Sequence, residues 1–482
     1  MKKIYIAALL LLTAGCSKEL TENPRGLVGG AAALSSQAGL ESALTGAYGS
    51  LMVPWTSGFT SVSQIAMTMG GDDLTTHPGS NKEEFREFDR FNVTSLNSRM
   101  TPIWLGCYKT IQSTTNIINN YTQVQDGTEA TIQTIVGEAS FLRALSYYWL
   151  TRLWGEVPII PSEIYSPDFL TLTKSKPADV YKLIEEDLAR AEQWVPNKKR
   201  DPGRPNKGSV KALLADVYLT EAGWPLKDQS KYAMAAAKAK EVIDHKADYS
   251  FDLYQDGFLK IFAGGTVEDV FTLFTRGQWS TYNSFYGLST MPENEGGWSD
   301  FFPELKFFNN FPAGSRKDAT FSTEFVVSGD TISWQQTTTK HPYYKKFTIQ
   351  QAGDKAVYMS NNPVIMIRYA HVLLIYAEAQ ARSAGTPNAD AYTAVNAVRQ
   401  RAGLPALAAN MTGADFAAAV VNERAWGFAG ERSRWFVLVR LDQVAAANAG
   451  KDPADLQPAG PITQAGYWMP IPGVDALVNP NL

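Results

Sequence analysis

Three long stretches of this sequence repeat apolar residues at every third or fourth position, the spacing of one face of an α-helix. They are residues 128–154, 207–245 and 366–403, and each is predicted to form a pair of helices. Alanines recur where the helices would cross, and Gly223 and Gly385 mark turns in the second and third stretches. A helix, a turn and a second helix over about 34 residues is typical of a tetratricopeptide unit. We therefore predict a mostly α fold, an irregular helical scaffold of tetratricopeptide-like helix pairs, with a further helix over 415–428.

The middle of the chain lacks this periodicity and is rich in aromatic residues. Between residues 250 and 366, 23 of 117 residues are Phe, Trp or Tyr, against 33 of the other 365. Glycine and proline interrupt the segment repeatedly, which favours loops and short strands. We predict that residues 250–365 form a large loop-rich insertion with short strands, carried on the helical scaffold. Loops on a rigid frame are where binding sites tend to lie.

The first thirty residues have the composition of a bacterial export signal followed by a linker. Two lysines precede the apolar run 4–12, which is too short to span a bilayer, and Ala14 and Gly15 stand directly before Cys16. We predict a lipoprotein signal peptide over 1–15, lipidation of Cys16, a lipidated tether over 16–30 and a single domain over 31–482. An ordinary secretory signal with a chance cysteine is the alternative. No later segment has 18 uninterrupted apolar residues, so membrane attachment would depend on the lipid.

Composition argues against several classes of function. The formal net charge is −4, the pI is about 5.8 and no basic stretch is present, whereas nucleic-acid binding needs clustered Lys and Arg. The four histidines never have the spacing of a zinc-binding helix, and we predict neither a metal site nor a cofactor. The only cysteines, Cys16 and Cys107, cannot make a disulfide framework. We expect Cys107 to be buried as a small apolar residue.

Several segments together resemble the SusD/RagB family of outer-membrane nutrient-binding lipoproteins. They are 138–149 (EASFLRALSYYW) with 155–158, 211–219 (KALLADVYL), 368–379 (RYAHVLLIYAEA) with 396–403 (NAVRQRAG), 423–432, and 470–472 (PIP) with 479–482 (NPNL). The resemblance covers nearly the whole chain after the signal. It implies a non-catalytic, lipid-anchored protein at the exterior of the outer membrane. Such a protein captures oligosaccharides and passes them to a TonB-dependent, SusC-like transporter.

The charged residues of these segments are interpreted as structural rather than catalytic, because helix faces commonly carry ion pairs. They are Glu138, Arg143, Glu378, Arg382, Glu423, Arg424, Glu431 and Arg434. Two positions depart from the family's pattern: Gly427 stands where the family usually has an acidic residue, and Val437 where it usually has Asp. These acids would normally pair with neighbouring arginines, so the local ion pairs are expected to differ here.

Aromatic residues of the insertion are the first candidates for a sugar site. A sugar ring has an apolar face and a polar rim, so its site needs flat aromatic platforms beside short polar side chains. Trp279, Tyr282 and Tyr286 are interleaved with polar residues in 277–287 and are expected to form an exposed platform. Trp334 lies in a polar run with few apolar neighbours, which favours exposure. For Trp298, which follows two glycines, core burial is the favoured interpretation and ligand contact the alternative.

A second candidate segment is the loop 70–81, which is broken by Gly and Pro and dense in hydroxyls, amides and carboxylates. By resemblance, the family builds one side of its site from this part of the chain. We therefore predict that Asp73, His77 and Asn81 bond sugar hydroxyls. An equally weighted alternative is that Asp72 and Asp73 cap the next helix or hold a structural cation.

Two other functions are kept as alternatives. A glycoside hydrolase would need two carboxylates flanking the sugar, and Glu293 and Glu295 are the only such pair placed among the aromatics. Capture of a peptide would instead need apolar pockets and exposed backbone partners.

Overall fold

The computed structural model describes residues 34–79, 81–161, 167–275, 288–348 and 360–482. Helices dominate these ranges, and the strands are short. In chain order, the helices α1 to α18 are Gln37–Ser50, Ser63–Ala66, Glu83–Asp89, Thr101–Asn120, Glu129–Trp154, Pro177–Trp194, Lys207–Glu221, Lys231–Asp244, Lys246–Tyr249, Leu305–Asn310, Ser315–Thr320, Lys345–Thr348, Tyr369–Ala384, Ala389–Arg401, Gly413–Gly427, Ser433–Arg440, Val444–Asn448 and Gly473–Val478. The strands β1 to β8 are Met52–Val53, Ser57–Gly58, Asp269–Leu273, Phe321–Ser322, Glu324–Val327, Asp330–Ser333, Tyr343–Tyr344 and Val364–Arg368.

The second and third predicted helix pairs are present, and local sequence explains where their helices begin and end. In the second pair, α7 begins at a capping box in which Asn206 and Ser209 satisfy each other's backbone N–H groups. In the third pair, α13 ends at Gly385, which has φ 73°, and Asn388 caps α14 by accepting from the backbone N–H of Ala391 at 2.8 Å. The predicted fold class is confirmed.

The first predicted pair is wrong, because residues 129–154 form one continuous helix, α5. Gly137 lies inside it and does not break it. A Cβ at that position would lie 3.0 Å from the side chain of Val195 and 3.1 Å from that of Trp194, so the glycine allows the end of α6 to approach. Helices α4 and α6 both pack against α5, so the pairing partners come from flanking sequence.

Buried ion pairs join the helices of the scaffold, as the structural interpretation of the charged motifs predicted. Glu138 and Arg143 do not pair with each other: Glu138 accepts from Arg200 and Arg204, and Arg143 forms two 2.7 Å bonds with Asp187 on α6. Those partners lie 44 to 66 residues away in sequence. A bidentate arginine–carboxylate pair fixes orientation as well as distance, so these contacts set how the helices pack.

Glu378 shows the same arrangement around α13. It has no exposed surface and accepts from Arg382 one turn later and from Arg440 on α16. Although burial alone would raise it, the pKa of Glu378 is lowered to about 2 because Arg440 and Arg382 stabilise the carboxylate. The charged motifs are therefore part of the core.

The described parts of the aromatic-rich segment from 250 to 365 have the predicted short strands, and also short helices that the sequence did not predict. Strand β3 near its start pairs antiparallel with β8 at its end, so the described parts of the insertion leave and rejoin the scaffold side by side. A small separate core of Phe302, Phe325 and Tyr343 lies within it, under the β5–β6 hairpin. Most of its aromatic residues in the described ranges are buried, which leaves few rings for a surface.

Two further predictions concern single features. Cys107 is fully buried in α4, and burial raises the pKa of its thiol, as expected for an unreactive apolar residue. Among the helices of the described ranges, none combines the length and hydropathy needed to cross a bilayer.

Candidate ligand-binding site

The loop 70–81 lies directly against the segment 288–302 of the insertion. Thr75 and Phe302 exchange backbone hydrogen bonds of 2.9 and 3.1 Å, and the Thr76 hydroxyl donates to the carbonyl of Asp300 at 2.7 Å. Lys82, just after the loop, forms an ion pair with the Asp300 carboxylate. The two segments predicted to build the site are therefore neighbours, although more than 200 residues separate them in sequence.

His77 faces this segment of the insertion. Its Nδ1 accepts from the backbone N–H of Gly79 at 2.9 Å, so a neutral imidazole carries its proton on Nε2. That Nε2 lies 3.9 Å from Oε1 of Glu293, whose side chain is 36% exposed. His77 thus brings a polar group to the boundary between the loop and the insertion, next to a carboxylate that solvent can reach.

Two indole rings meet close to these segments. Trp55 lies in the tight turn between β1 and β2 and is 41% exposed, and its ring centroid is 6.1 Å from that of Trp298, with 43° between the ring planes. Its φ of 66° is unusual for a residue with a side chain. Trp298 is half-buried, and its backbone N–H donates to the carbonyl of Leu288 at 2.8 Å.

The glycine before Trp298 makes this placement possible. A Cβ at Gly297 would lie 2.2 Å from the carbonyl oxygen of Met291, so no other residue fits that turn. The favoured interpretation of Trp298 as a core residue is therefore wrong, because its ring is only half-buried, beside an exposed indole. Sequence reasoning did not single out Trp55. The available signal was a tryptophan in a short turn, directly after Pro54.

Asp73 does not offer its carboxylate to a ligand, which corrects its predicted role. It is 1% exposed, its Oδ2 accepts from the backbone N–H of Gly430 at 2.8 Å, and its carbonyl accepts from the Tyr344 hydroxyl. Burial raises the pKa of Asp73 to about 7. This residue anchors the loop to the scaffold.

The alternative roles for the acidic pair are not supported either. Asp72 forms a bidentate ion pair with Arg434, with 2.8 Å between Nη2 and Oδ2, and neither aspartate caps a helix. The described residues contain no group of three or more His, Cys, Asp or Glu placed to hold a metal ion. Asn81 is exposed just before α3, and its role in binding stays a prediction.

Trp334 has more apolar contact than the sequence suggested. It starts a short 3₁₀ helix, its ring packs edge-on against Phe308 at 5.9 Å between centroids, and it is half-buried. The expected exposure of Trp334 was wrong, because its contact with Phe308 is not visible in the neighbouring sequence, and its role in binding stays a prediction. Trp279, Tyr282 and Tyr286 lie outside the described residues, as does Cys16.

The acidic turn 293–295 holds the β5–β6 hairpin in place. Asn294 Oδ1 accepts from the backbone N–H of Thr338 at 2.9 Å, and Glu295 Oε1 accepts from the backbone N–H of Val326 at 2.8 Å. Glu295 therefore has a structural role, whereas Glu293 points toward His77. The two carboxylates proposed for a hydrolase are thus engaged in different contacts.

Comparison with known proteins gives consistent matches. The model of the SusD family matches residues 68–482. A SusD-like protein, P2, of Formosa agariphila is 28% identical, in an alignment covering 100% of this chain and 98% of the relative. A SusD superfamily structure from Parabacteroides distasonis superposes with a TM-score of 0.80 at 23% identity, covering 92% of this chain and 98% of the other. Surface glycan-binding protein A of Bacteroides thetaiotaomicron, in complex with laminarihexaose, has a TM-score of 0.76 at 20% identity, covering 93% and 99%.

Proposed function

Because this chain belongs to the SusD family, we propose that it is a cell-surface lipoprotein that binds oligosaccharides and delivers them to a SusC-like, TonB-dependent transporter. It performs no catalysis in this proposal. Lipid on Cys16 would hold it to the outer membrane, with residues 16–30 as the tether. The match to a surface glycan-binding protein in complex with laminarihexaose supports a glycan as the ligand class.

The observation that carries the proposal is the Trp55–Trp298 pair beside the loop 70–81. Two indoles with 6.1 Å between their centroids offer apolar surface of the size of adjacent sugar rings. Glu293 lies at the meeting point of the same segments, and its side chain, which is 36% exposed, can accept from a hydroxyl. The Nε2 of His77 is buried beside it, so a bond from His77 to a hydroxyl stays a prediction. Trp279, Tyr282 and Tyr286, which precede Trp298 in the same insertion, are proposed to extend this surface.

The expected affinity is modest. If a sugar stacked on an indole gains about as much as a nucleic-acid base on an aromatic ring, each ring contributes roughly 1–3 kcal/mol. Ordering a flexible oligosaccharide and restricting its motion offset much of this gain. A dissociation constant between about 1 μM and 1 mM follows. Binding of this strength lets the protein release its ligand to a transporter.

Affinity electrophoresis in gels containing polysaccharides tests the proposal. We expect that the wild-type protein is retarded by at least one glycan and that Trp55→Ala and Trp298→Ala each reduce the retardation. Trp194→Ala is the matched control, because Trp194 is also half-buried but packs on Tyr121 of the scaffold. Loss of retardation in Trp194→Ala alone would reject the Trp55–Trp298 site. No retardation of the wild-type protein by any glycan would reject a glycan ligand and favour a peptide.

Incubation of the purified protein with the same glycans separates binding from hydrolysis. We expect no new reducing ends. Turnover that disappears in Glu293→Gln would reject the non-catalytic function and support the hydrolase alternative.

A further inference from the structure

A cavity of about 470 Å³ lies where the segment 255–260, α11, α14 and the end of α15 meet. Its size is within the usual range for small-molecule pockets, about 300–1,000 Å³. Three cationic side chains line it, Lys260, Arg316 and Arg401, and no carboxylate from the described ranges does so. Apolar side chains, including those of Phe258 and Val398, complete the wall.

Among the buried ion pairs behind this wall, cations outnumber carboxylates. Glu423 is shared by Arg316 and Arg399, and Glu268 by Arg368 and Arg401. Glu431 is shared by Arg368 and Lys346. Glu423 thus faces two cations in one cluster, and Glu268 and Glu431 together face three in a second cluster; Arg316 of the first and Arg401 of the second both line the cavity.

Two observations indicate that the excess positive charge acts on the side chains that line the cavity. Burial lowers the pKa of Arg401, and repulsion from Arg368 and Arg316 lowers it further. Arg316 is 6% exposed, and within the described part of the chain its Nη2 has no hydrogen-bond partner. A buried guanidinium with an unsatisfied N–H is costly, so an added anion would stabilise this region.

Residue 427 lines the cavity and has no side chain to occupy it. Gly427 ends α15, and a Cβ built on it would lie 4.0 Å from Nη1 of Arg316, with nothing closer. A carboxylate side chain at this position would extend toward the guanidinium. A free carboxylate can occupy the same space.

We propose that this cavity binds the carboxylate of a hexuronic acid residue, with Arg316, Arg401 and Lys260 as its cationic partners. A carboxylate matches the planar fork of a guanidinium, and the wall of Phe258 and Val398 suits the C–H face of a sugar ring. A bare inorganic anion would leave that apolar wall unused. The identification of the ligand as a sugar acid rests on the proposed function, whereas the anion site rests on the charges alone.

Thermal unfolding with added sodium glucuronate tests this site, with glucose and sodium sulfate at matched ionic strength as comparisons. We expect glucuronate at ten to a hundred times its dissociation constant to raise the melting temperature by about 2 °C. Glucose should cause no such rise, and sulfate a smaller one. Equal rises with sulfate and glucuronate would reject the sugar acid, and no rise with either would reject the site.

Substitutions at Gly427 test whether glucuronate raises the melting temperature by binding in this cavity. Gly427→Glu supplies an internal carboxylate, so we expect a higher melting temperature without ligand and no further rise with glucuronate. Gly427→Gln has the same bulk without the charge, and we expect no gain in stability from it. A glucuronate response that persists in Gly427→Glu would place binding elsewhere and overturn the proposal.

Two further variants separate this proposal from the proposed function. Lys260→Ala removes an exposed cation and should weaken glucuronate binding about two- to fivefold without altering the fold. Trp55→Ala should keep the full response to glucuronate while its retardation by neutral glycans is reduced. A glucuronate response lost in Trp55→Ala and retained in Lys260→Ala would contradict the cavity as the anion site.

Discussion

Tryptophans occupy two contrasting environments in this protein. In the helical scaffold, Trp149 is 6% exposed and packs edge-on against Phe59 and Phe436, with centroids 4.7 and 5.3 Å away. At the meeting of the loop 70–81 with the insertion, Trp298 lies 6.1 Å from Trp55, which is 41% exposed. The same residue type therefore stabilises the core in one region and forms a partly solvated surface in the other. Substitutions in the two regions should accordingly affect different measurements.

The largest expected effect is on stability, in the scaffold. Trp149→Ala removes a ring enclosed by other rings, and we expect the free energy of unfolding to fall by about 3–5 kcal/mol. Trp298→Ala should lower it by less than half as much, because that ring is only half-buried. Urea denaturation followed by circular dichroism gives both values. Equal losses of unfolding free energy in Trp149→Ala and Trp298→Ala would show that both rings stabilise the fold to the same extent and would contradict the distinction between the two regions.

The second effect concerns Asp73, which ties the loop 70–81 to the scaffold. Burial raises its pKa to about 7 in the folded protein, above the value of about 4 for an unfolded chain. Between these values the folded state retains a proton that the unfolded state has released. The contribution of Asp73 to the free energy of unfolding is therefore greatest below pH 4 and falls until about pH 7.

Asp73→Asn removes this titration and keeps an oxygen that can accept from the N–H of Gly430. We expect its free energy of unfolding to gain about 2–4 kcal/mol relative to wild type as the pH rises from 4 to 8. Denaturation curves across that range measure the difference. Parallel pH profiles for the two proteins would show that folding does not raise the pKa of Asp73.

The sequence predicted the fold more completely than the candidate site. The apolar period and the breaks at Gly223 and Gly385 were enough to place two helix pairs, because both signals are local. The first pair failed because residues 129–154 form one helix, whose packing partners α4 and α6 lie in the flanking sequence. The assignment of Asp73 failed for a related reason: the N–H that it accepts from belongs to Gly430, 357 residues away. Contacts at that separation leave no pattern in a single sequence.

A smaller effect is expected from coupling between the two indoles of the site. If one oligosaccharide spans both rings, the loss of affinity in the Trp55→Ala/Trp298→Ala double variant should differ from the sum of the single losses. Aromatic pairs in contact couple by about 0.5–1.5 kcal/mol. Isothermal titration calorimetry measures the affinities of the wild type and the three variants, with the glycan that retards the protein most strongly as the ligand. Strict additivity would indicate two independent contacts.

The smallest expected effect comes from the acidic turn. Glu293→Gln should weaken glycan binding about two- to tenfold, the value of one hydrogen bond, and change stability by no more than about 0.5 kcal/mol. Glu295→Gln is the control, because glutamine can still accept from the N–H of Val326. A loss of affinity in Glu295→Gln alone would reverse the roles given to the two residues.

A crystal structure with a bound oligosaccharide tests the central claim most directly. We predict sugar carbons within about 4.5 Å of the indole rings of Trp55 and Trp298, with a hydroxyl in hydrogen-bond reach of His77 or Glu293. Density for the glycan at any other surface, with both indoles in contact only with protein, would contradict it.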